Sequence, residues 1–199
     1  MTAAAPAVPA SAAAPAPVPF LAADVGGTHV RVARVQASAD PAHPVQVLEY
    51  RKFRNAEYPG LSAILDTFLG DGPRPAHCVV ATAGVAREDG TVITANVPWP
   101  LSARRIEQDV GLEHVFIVND FEAVAYAAAQ VDASGVLQLT GPATAPRGPT
   151  LVVGPGTGLG AAVWIPTPHG PVVLATEAGQ PTLAVSTELE MAIVRQMQR

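Results

Sequence analysis

The first stretch whose residue types could do chemistry is DVGGT, in which Asp24 is followed by Gly26, Gly27 and Thr28. A carboxylate at the end of a buried strand costs free energy unless it is paired or bound to a cation, and no basic residue adjoins Asp24 in the sequence. The glycines leave backbone N–H groups accessible to a bulky anion. These parts suit a nucleotide phosphate with Mg²⁺, which would be held by the Asp24 carboxylate, the glycine amides and the Thr28 hydroxyl. A Gly-Gly hairpin turn with an aspartate cap explains the same residues equally well.

A second glycine-rich stretch, GPGTGLG at residues 154–160, follows another apolar run. It lacks the GK[ST] ending of a Walker A loop, and because an apolar strand rather than a helix follows it, the dinucleotide-binding fingerprint does not fit either. Taken alone, the stretch is equally typical of a tight hairpin. Two such units in one chain favour a function for both, because each could hold one end of a polyphosphate between two lobes.

Asn119 and Asp120 directly follow the apolar run VFIV. That is the end of a strand at which α/β folds place their ligands. An aspartate there can act as general base toward a substrate hydroxyl, and the neighbouring amide can orient that hydroxyl. The alternative is an N-cap for the helix FEAVAYAAAQ that follows, and both roles can coexist.

Three further side chains are weaker candidates for a binding site. Glu177 follows the apolar run VVLA, so it could accept hydrogen bonds from sugar hydroxyls or be a solvated loop residue. Asn96 and Trp99 could shape one wall of a pocket, although a core position suits Trp99 better. The five histidines are scattered without ligand spacing, so we expect no metal site made of protein nitrogen. No G-x-S-x-G is present, and nothing indicates a serine or cysteine nucleophile.

Apolar periodicity predicts the elements that must position these residues. FLAADV, HVRVARV and VQVLEYRKF form a meander of three strands, and LSAILDTFLG forms a helix. We expect a strand over residues 77–85, an extended piece over 92–94, and a helix over ARRIEQDV that Ser102 caps and Gly111 ends. A buried strand over 115–118 leads into the helix FEAVAYAAAQ. Strands joined by crossover helices predict an α/β domain whose mixed sheet begins antiparallel.

The second half of the chain repeats the pattern of the first. After the loop GPATAPRGPT, LVVGPGTGLGAAVWI again has an apolar strand, a glycine turn and an apolar strand. We predict a disordered Ala/Pro-rich tail over residues 1–19, a small α/β lobe over 20–140, and the incomplete start of a large α/β lobe over 141–199. Thr187 and Glu190 form a capping box that opens an amphipathic helix. The sequence stops inside that helix, and a strand pair with one helix cannot bury its apolar faces alone, so we expect a fragment.

Composition excludes several classes of protein. Of the 199 residues, 49% are hydrophobic and 15% are charged, so a packed core is expected. The net charge is −5, and Lys and Arg form no run that could follow a phosphate backbone, so we expect no nucleic-acid partner. Prolines interrupt the alanine-rich start, which does not fit a secretory signal, and no apolar stretch reaches the about 18 residues of a membrane span. Cys78, the single cysteine, suits a buried inert thiol, and we expect a cytoplasmic protein.

Five motifs, in this order, resemble those of the bacterial glucokinase family, within the hexokinase and actin-like ATPase superfamily. They are ADVGGTHVRVARV, ITANVPWPLS, HVFIVNDFEAVAYA, VVGPGTGLGAAVW and TEAGQPTLAVSTELEMAI. The resemblance covers about residues 20–199 and implies a two-lobed, ribonuclease H-like α/β fold with the second lobe incomplete. It also implies ATP-dependent phosphorylation, with Mg²⁺, of the 6-hydroxyl of glucose or a similar hexose. A homodimer remains open for the full-length protein.

The resemblance assigns roles to individual residues. Asp120 would be the catalytic base. The sugar would contact Asn119, Asp120, Glu177 and Gln180, with Asn96 as a further candidate. The first phosphate loop would be Asp24, Gly26, Gly27 and Thr28, and Asp24 would reach Mg²⁺ through water. The second phosphate loop would be Gly156, Thr157 and Gly158.

Two residues depart from the family pattern. His29 stands where the family reads Asn in G-G-T-N, and Gln180 stands where it reads His in E-x-G-H. Glutamine can still hydrogen-bond a hydroxyl, so sugar binding could survive with changed specificity. A non-catalytic sugar-binding or regulatory relative, or a kinase for another sugar, are the alternatives, and polyphosphate is an alternative donor to ATP. Because most of the large lobe would lie beyond Arg199, we expect little activity from the 199 residues alone.

Overall fold

The computed structural model describes residues 17–40, 43–86, 91–93, 97–131, 135–142, 148–155, 158–179 and 184–197. Most of the predicted tail, residues 1–19, lies outside these ranges. The described residues form a five-stranded sheet, a three-stranded sheet, a small two-stranded sheet and four α-helices. Within this part of the chain, no helix is long and apolar enough to cross a membrane.

The first sheet begins with the predicted antiparallel meander. Its strands are β1 (Phe20–Val25), β2 (His29–Ala37) and β3 (Val45–Arg54). Strand β4 (His77–Thr82) pairs with β1 in parallel, and β7 (His114–Asn119) pairs with β4 in parallel, which gives the order β3-β2-β1-β4-β7. Parallel neighbours need long crossover connections, and these contain the helices. The predicted mixed sheet is therefore confirmed.

Helices α1 (Leu61–Leu69) and α2 (Ala103–Val110) cover one face of this sheet. Ser102 caps α2 as predicted, since its hydroxyl accepts the N–H of Arg105 at 3.4 Å, and Gly111 ends the helix with φ 75°. Trp99 packs, partly buried, against the core, as its sequence setting suggested. The core between sheet and helices contains Leu21, Ala23, Val25, Val30, Val32, Ile64, Leu65, Phe68, Cys78, Val80, Ile106 and Val110.

The strand expected over residues 77–85 is shorter than predicted. It ends at Thr82, because Gly84 takes φ 121°, a conformation that favours glycine and turns the chain. The next residues form a separate strand, β5 (Val85–Ala86), which pairs with β6 (Val92–Ile93). Strand β6 is the predicted extended piece over 92–94, of which residue 94 lies outside the described chain.

The strand expected to be buried over residues 115–118 is buried on one face only. Val115 is 7% exposed and joins the core against α2. Side chains alternate along a strand, so Phe116 lies on the opposite face, where it is 53% exposed. An uninterrupted apolar run therefore did not mean burial on both faces in this strand.

The second sheet contains the second glycine-rich stretch. Strands β8 (Thr150–Pro155), β9 (Leu159–Ile165) and β10 (Val172–Thr176) are antiparallel in the order β10-β9-β8. Helix α3 (Asp120–Ala128) begins where β7 ends and packs against all three of these strands as well as β7. It therefore connects the two sheets. The lobe boundary between residues 140 and 141 stays a prediction.

Helix α4 (Glu188–Met197) begins at the predicted capping box. The N–H of Glu190 donates to Thr187 Oγ1 at 3.2 Å, and the N–H of Thr187 donates to Glu190 Oε2 at 2.9 Å. Leu189 and Met197 are 72% and 80% exposed. The described chain therefore leaves these apolar side chains of α4 uncovered.

Candidate active site

The carboxyl ends of β1, β4 and β7 and the β8–β9 hairpin border a cleft of about 540 Å³. That volume lies within the roughly 300–1,000 Å³ of typical small-molecule sites. The predicted residues that line the cleft are Asp24, Gly26, Gly27, Thr28, Asn119, Asp120, Gly158 and Glu177. The predicted residues Asn96, Gly156, Thr157 and Gln180 lie outside the described residues. Residues far apart in the sequence thus meet in one cleft.

The surroundings of Asp24 differ from the expectation. Alternation along β1 buries Leu21, Ala23 and Val25 and places Asp24 on the other face, where its side chain is 51% exposed. The antiparallel register sets Arg31 opposite Asp24, and Arg31 Nη1 lies 2.7 Å from Asp24 Oδ2. The inference of an unpaired, buried carboxylate is therefore wrong. The carboxylate nevertheless lines the cleft.

Asn55 holds the turn between β1 and β2. Its side-chain Nδ2 donates to the carbonyl of Gly26 at 2.8 Å, and its backbone N–H donates to the carbonyl of Thr28 at 3.0 Å. The N–H of Gly26 donates to the carbonyl of His29 at 3.0 Å, so the expectation that both glycine amides are accessible is wrong for Gly26. Asn55 is 3% exposed, and in the described structure its Oδ1 is buried without a partner. Sequence reasoning missed Asn55, because only the pairing of β2 with β3 brings it to a turn 29 residues away.

Basic side chains of β2 and β3 surround the same turn. Partial burial lowers the pKa of His29, and the positive charges of Lys52, Arg54 and Arg31 lower it further. The neutral form of His29 therefore predominates at pH 7. Arg31 is paired with Asp24 at 2.7 Å and Arg54 with Glu57 at 3.8 Å, so acidic partners offset two of these three positive charges.

Asn119 and Asp120 form the junction between β7 and α3. Asn119 Oδ1 accepts the N–H of Phe121 at 2.9 Å and that of Glu122 at 3.2 Å, so Asn119 is the N-cap of α3. Its Nδ2 donates to the carbonyl of Gly84 at 3.3 Å, which leaves one N–H for a ligand. Asp120 Oδ1 also accepts the N–H of Phe121, at 2.9 Å. The second oxygen of Asp120 makes no hydrogen bond with the described residues, so it can serve a ligand in the cleft.

Glu177 reaches the cleft from the segment that follows β10. The Thr176 hydroxyl donates to the carbonyl of Ala161 at 2.9 Å, which ties the end of β10 to β9. Gly179 lies so close to β9 that a Cβ on it would come within 2.6 Å of the carbonyl oxygen of Leu159. Glycine at this position therefore lets the segment pass beside the hairpin and places the exposed Glu177 at the cleft.

Comparison with known proteins identifies the family. A family model described as Glucokinase matches residues 21–199. The chain belongs to the glucokinase family. The glucokinase-like protein of Xylella fastidiosa (strain 9a5c) is 57% identical over 178 residues, which cover 89% of this chain and 53% of that protein. The glucokinase of Paramagnetospirillum magneticum is 35% identical over 87% of this chain and 53% of its own length.

Solved structures support the same fold. A glucokinase from an Antarctic psychrotroph is 28% identical and superposes with a TM-score of 0.73 over 90% of this chain and 56% of that chain. The ROK hexokinase of Thermus thermophilus, at 19% identity, has a TM-score of 0.58 over 91% of this chain and 65% of its own. The predicted α/β, actin-like ATPase fold is therefore confirmed. The chain spans about half the length of the curated relatives it matches.

Proposed function

We propose that this member of the glucokinase family transfers the γ-phosphoryl group of ATP to the 6-hydroxyl of glucose or a similar hexose. The observation that carries the proposal is that Asp120, Glu177, the first glycine turn and Gly158 of the second glycine-rich stretch line one cleft. Phosphoryl transfer depends on positioning and on neutralising charge more than on covalent chemistry. In this cleft the carboxylate base can position the attacking hydroxyl, and the backbone amides of the glycine-rich segments can offset the charge of the phosphate.

Asp120 acts as the general base. One of its oxygens is held by the N–H of Phe121, which orients the carboxylate. The other oxygen accepts the proton of the sugar hydroxyl as that hydroxyl oxygen attacks the γ-phosphorus. The remaining N–H of Asn119 and the carboxylate of Glu177 bind sugar hydroxyls. Gln180 and Asn96 stay candidates for the same sugar.

The donor binds beside the first turn and the β8–β9 hairpin. The Thr28 hydroxyl and the amides of Gly27 and Gly158 line the cleft and can donate to phosphate oxygens. No group of three or more acidic, histidine or cysteine side chains in the described chain could hold a metal alone. Asp24 with phosphate oxygens fits Mg²⁺, which proteins usually hold through one or two carboxylates and the substrate. Bound there, Mg²⁺ would neutralise phosphate charge.

The test is a coupled assay for glucose 6-phosphate with ATP and Mg²⁺. It is run on the 199-residue chain and on a version extended through the downstream reading frame, each with Asp120→Asn. Loss of a general base lowers kcat by about 10²- to 10⁴-fold. Glu122→Gln is the matched control, because Glu122 is the other carboxylate in the first turn of α3 and does not line the cleft.

Two results would count against the proposal. If the Asp120→Asn enzyme had the kcat of the parent enzyme, Asp120 would not be the general base. Glucose binding without phosphorylation in either version would favour a non-catalytic sugar-binding relative, since a fold does not fix a function.

A further inference from the structure

Phe121, which directly follows Asp120, lies against two glycines of the second sheet. Gly154 and Gly160 are partners across the β8–β9 hairpin. A Cβ on Gly154 would come within 2.7 Å of Phe121 Cζ, and a Cβ on Gly160 would overlap the same ring. The ring thus occupies the space that side chains at these two positions would fill.

Other small residues continue this close contact between α3 and β9. Ala125 lies one helical turn after Phe121 and is 1% exposed. Ala162 shares a strand face with Gly160 and is fully buried. Small side chains on both elements let the helix approach the sheet closely along its first turns. The position of the helix start is therefore set by packing as well as by the chain connection to β7.

The backbone of Phe121 also holds the two polar side chains of the junction. Its N–H donates to Asn119 Oδ1 and to Asp120 Oδ1, both at 2.9 Å. Any displacement of the ring that moves this residue therefore moves the donor that orients the proposed base. Gly154 and Gly160 each lie one residue inside the strand ends Pro155 and Leu159, which pair with each other.

We propose that Phe121 is a positioning residue, which fixes the distance between Asp120 and the end of the β8–β9 hairpin that contains Gly154 and Gly160. The inference rests on the proposed phosphoryl transfer, because that reaction needs the base and the donor phosphate in a fixed relation. Phe121 also lines the cleft, but its apolar ring offers neither substrate a hydrogen bond in this scheme. It acts through the peptide it shares with Asp120 and through the two glycines that receive its ring.

The decisive variant is Gly160→Ala, which places a methyl group where the ring lies. The ring must then retreat and carry the start of α3 with it. A misplacement of about 1 Å can lower the rate about 10²-fold. We expect kcat to fall by that order while KM for glucose changes by less than about threefold, because the loss is confined to the transition state. Gly148→Ala is the matched control, since nothing lies within 4 Å of a Cβ at Gly148.

Introducing Gly160→Ala into the Phe121→Ala variant tests the contact between Phe121 and residue 160 separately. With Phe121→Ala the ring is absent, and with it the three atoms that lie nearest to a Cβ at residue 160. Gly160→Ala should then cause no further loss of kcat beyond that of Phe121→Ala alone. Equal fold losses from Gly160→Ala in both backgrounds would overturn the proposal, and so would a kcat unaffected by Gly160→Ala.

The amide resonance of Glu122 gives a readout that does not need turnover. Its N–H donates to Asn119 Oδ1 at 3.2 Å, next to the donor that serves Asp120. In the 199-residue chain, Gly160→Ala should shift this resonance, whereas Gly148→Ala, and Gly160→Ala in the Phe121→Ala background, should not. Such a shift, together with no kinase activity in the version extended through the downstream reading frame, would refute the proposed function and retain the positioning contact. Absence of the shift would refute the contact whatever the activity.

Discussion

Replacing Asn119 separates the two roles that its side chain can serve. In Asn119→Ala the helix α3 loses its N-cap oxygen, and the carbonyl of Gly84 loses its donor. Loss of an N-cap costs about 0.5–2 kcal/mol. Loss of a net hydrogen bond costs about 0.5–1.5 kcal/mol. The two together give a destabilisation of about 2 kcal/mol, taking about 1 kcal/mol for each.

The expected change in melting temperature follows from the size of the chain. For domains of 150–250 residues, 1 kcal/mol shifts Tm by about 2–4 °C, so Asn119→Ala should lower Tm by about 4–8 °C. Asn119→Asp keeps a cap oxygen and adds a negative charge at the helix start, worth about 0.3–1 kcal/mol, while it loses the bond to Gly84. We therefore expect Asn119→Asp to lower Tm by less than half as much. Circular dichroism during heating measures both values.

The Nδ2 group of Asn119, in contrast to its capping oxygen, should affect sugar binding. Both variants remove Nδ2, so if its remaining N–H contacts the sugar, KM for glucose rises in both, although only the alanine variant is strongly destabilised. Equal Tm losses in the two variants would refute the capping argument. An unchanged KM in both would remove Asn119 from the sugar site.

The remaining predictions concern the pairing of Asp24, the start of α4 and the core. Arg31→Gln frees the Asp24 carboxylate, so the Mg²⁺ concentration for half-maximal activity should fall, while stability changes by less than about 1 kcal/mol because the pair is exposed. Hydrogen bonds from residues 186 and 187 lower the pKa of Glu190 below 4.5, so its stabilisation of α4 is present above that pH and is lost as pH falls further. Helix content should therefore decrease on acidification, and Glu190→Gln should remove that dependence. Burial raises the pKa of Cys78 to about 12, so a thiol reagent at pH 8 should label it only after unfolding.

Local rules predicted most of the elements. The cap at Ser102, the left-handed end at Gly111 and the capping box at Thr187 and Glu190 each depend on residues within one helical turn. The meander followed from strand alternation in the same way. The sequence was less informative where a tertiary contact or a single backbone angle decides where an element ends or what a side chain contacts. Gly84 ended a strand that apolar composition alone would continue.

The pairing of Asp24 with Arg31 could have been derived. Once the turn closes Val25 on Val30, antiparallel register places Arg31 directly opposite Asp24. Asp24 has no basic neighbour in the sequence, and its partner Arg31 lies across the hairpin. Asn55 gave no comparable signal, because its place beside Gly26 depends on the register of a third strand.

The glycines of the β8–β9 hairpin have two different explanations, one steric and one related to ligand binding. The stretch GPGTGLG allowed a phosphate loop or a tight hairpin, and either explanation treated its glycines as one group. In the structure, Gly154 and Gly160 are the positions where the ring of Phe121 excludes a side chain, whereas a Cβ on Gly158 would meet nothing within 4 Å. Steric exclusion by Phe121 therefore accounts for the outer glycines without any ligand. Gly158 lines the cleft without such a constraint, and close approach of a phosphate stays the proposed reason for glycine there. Glycine-rich composition alone cannot distinguish the two causes, because the residue that separates them lies more than thirty positions away in the chain.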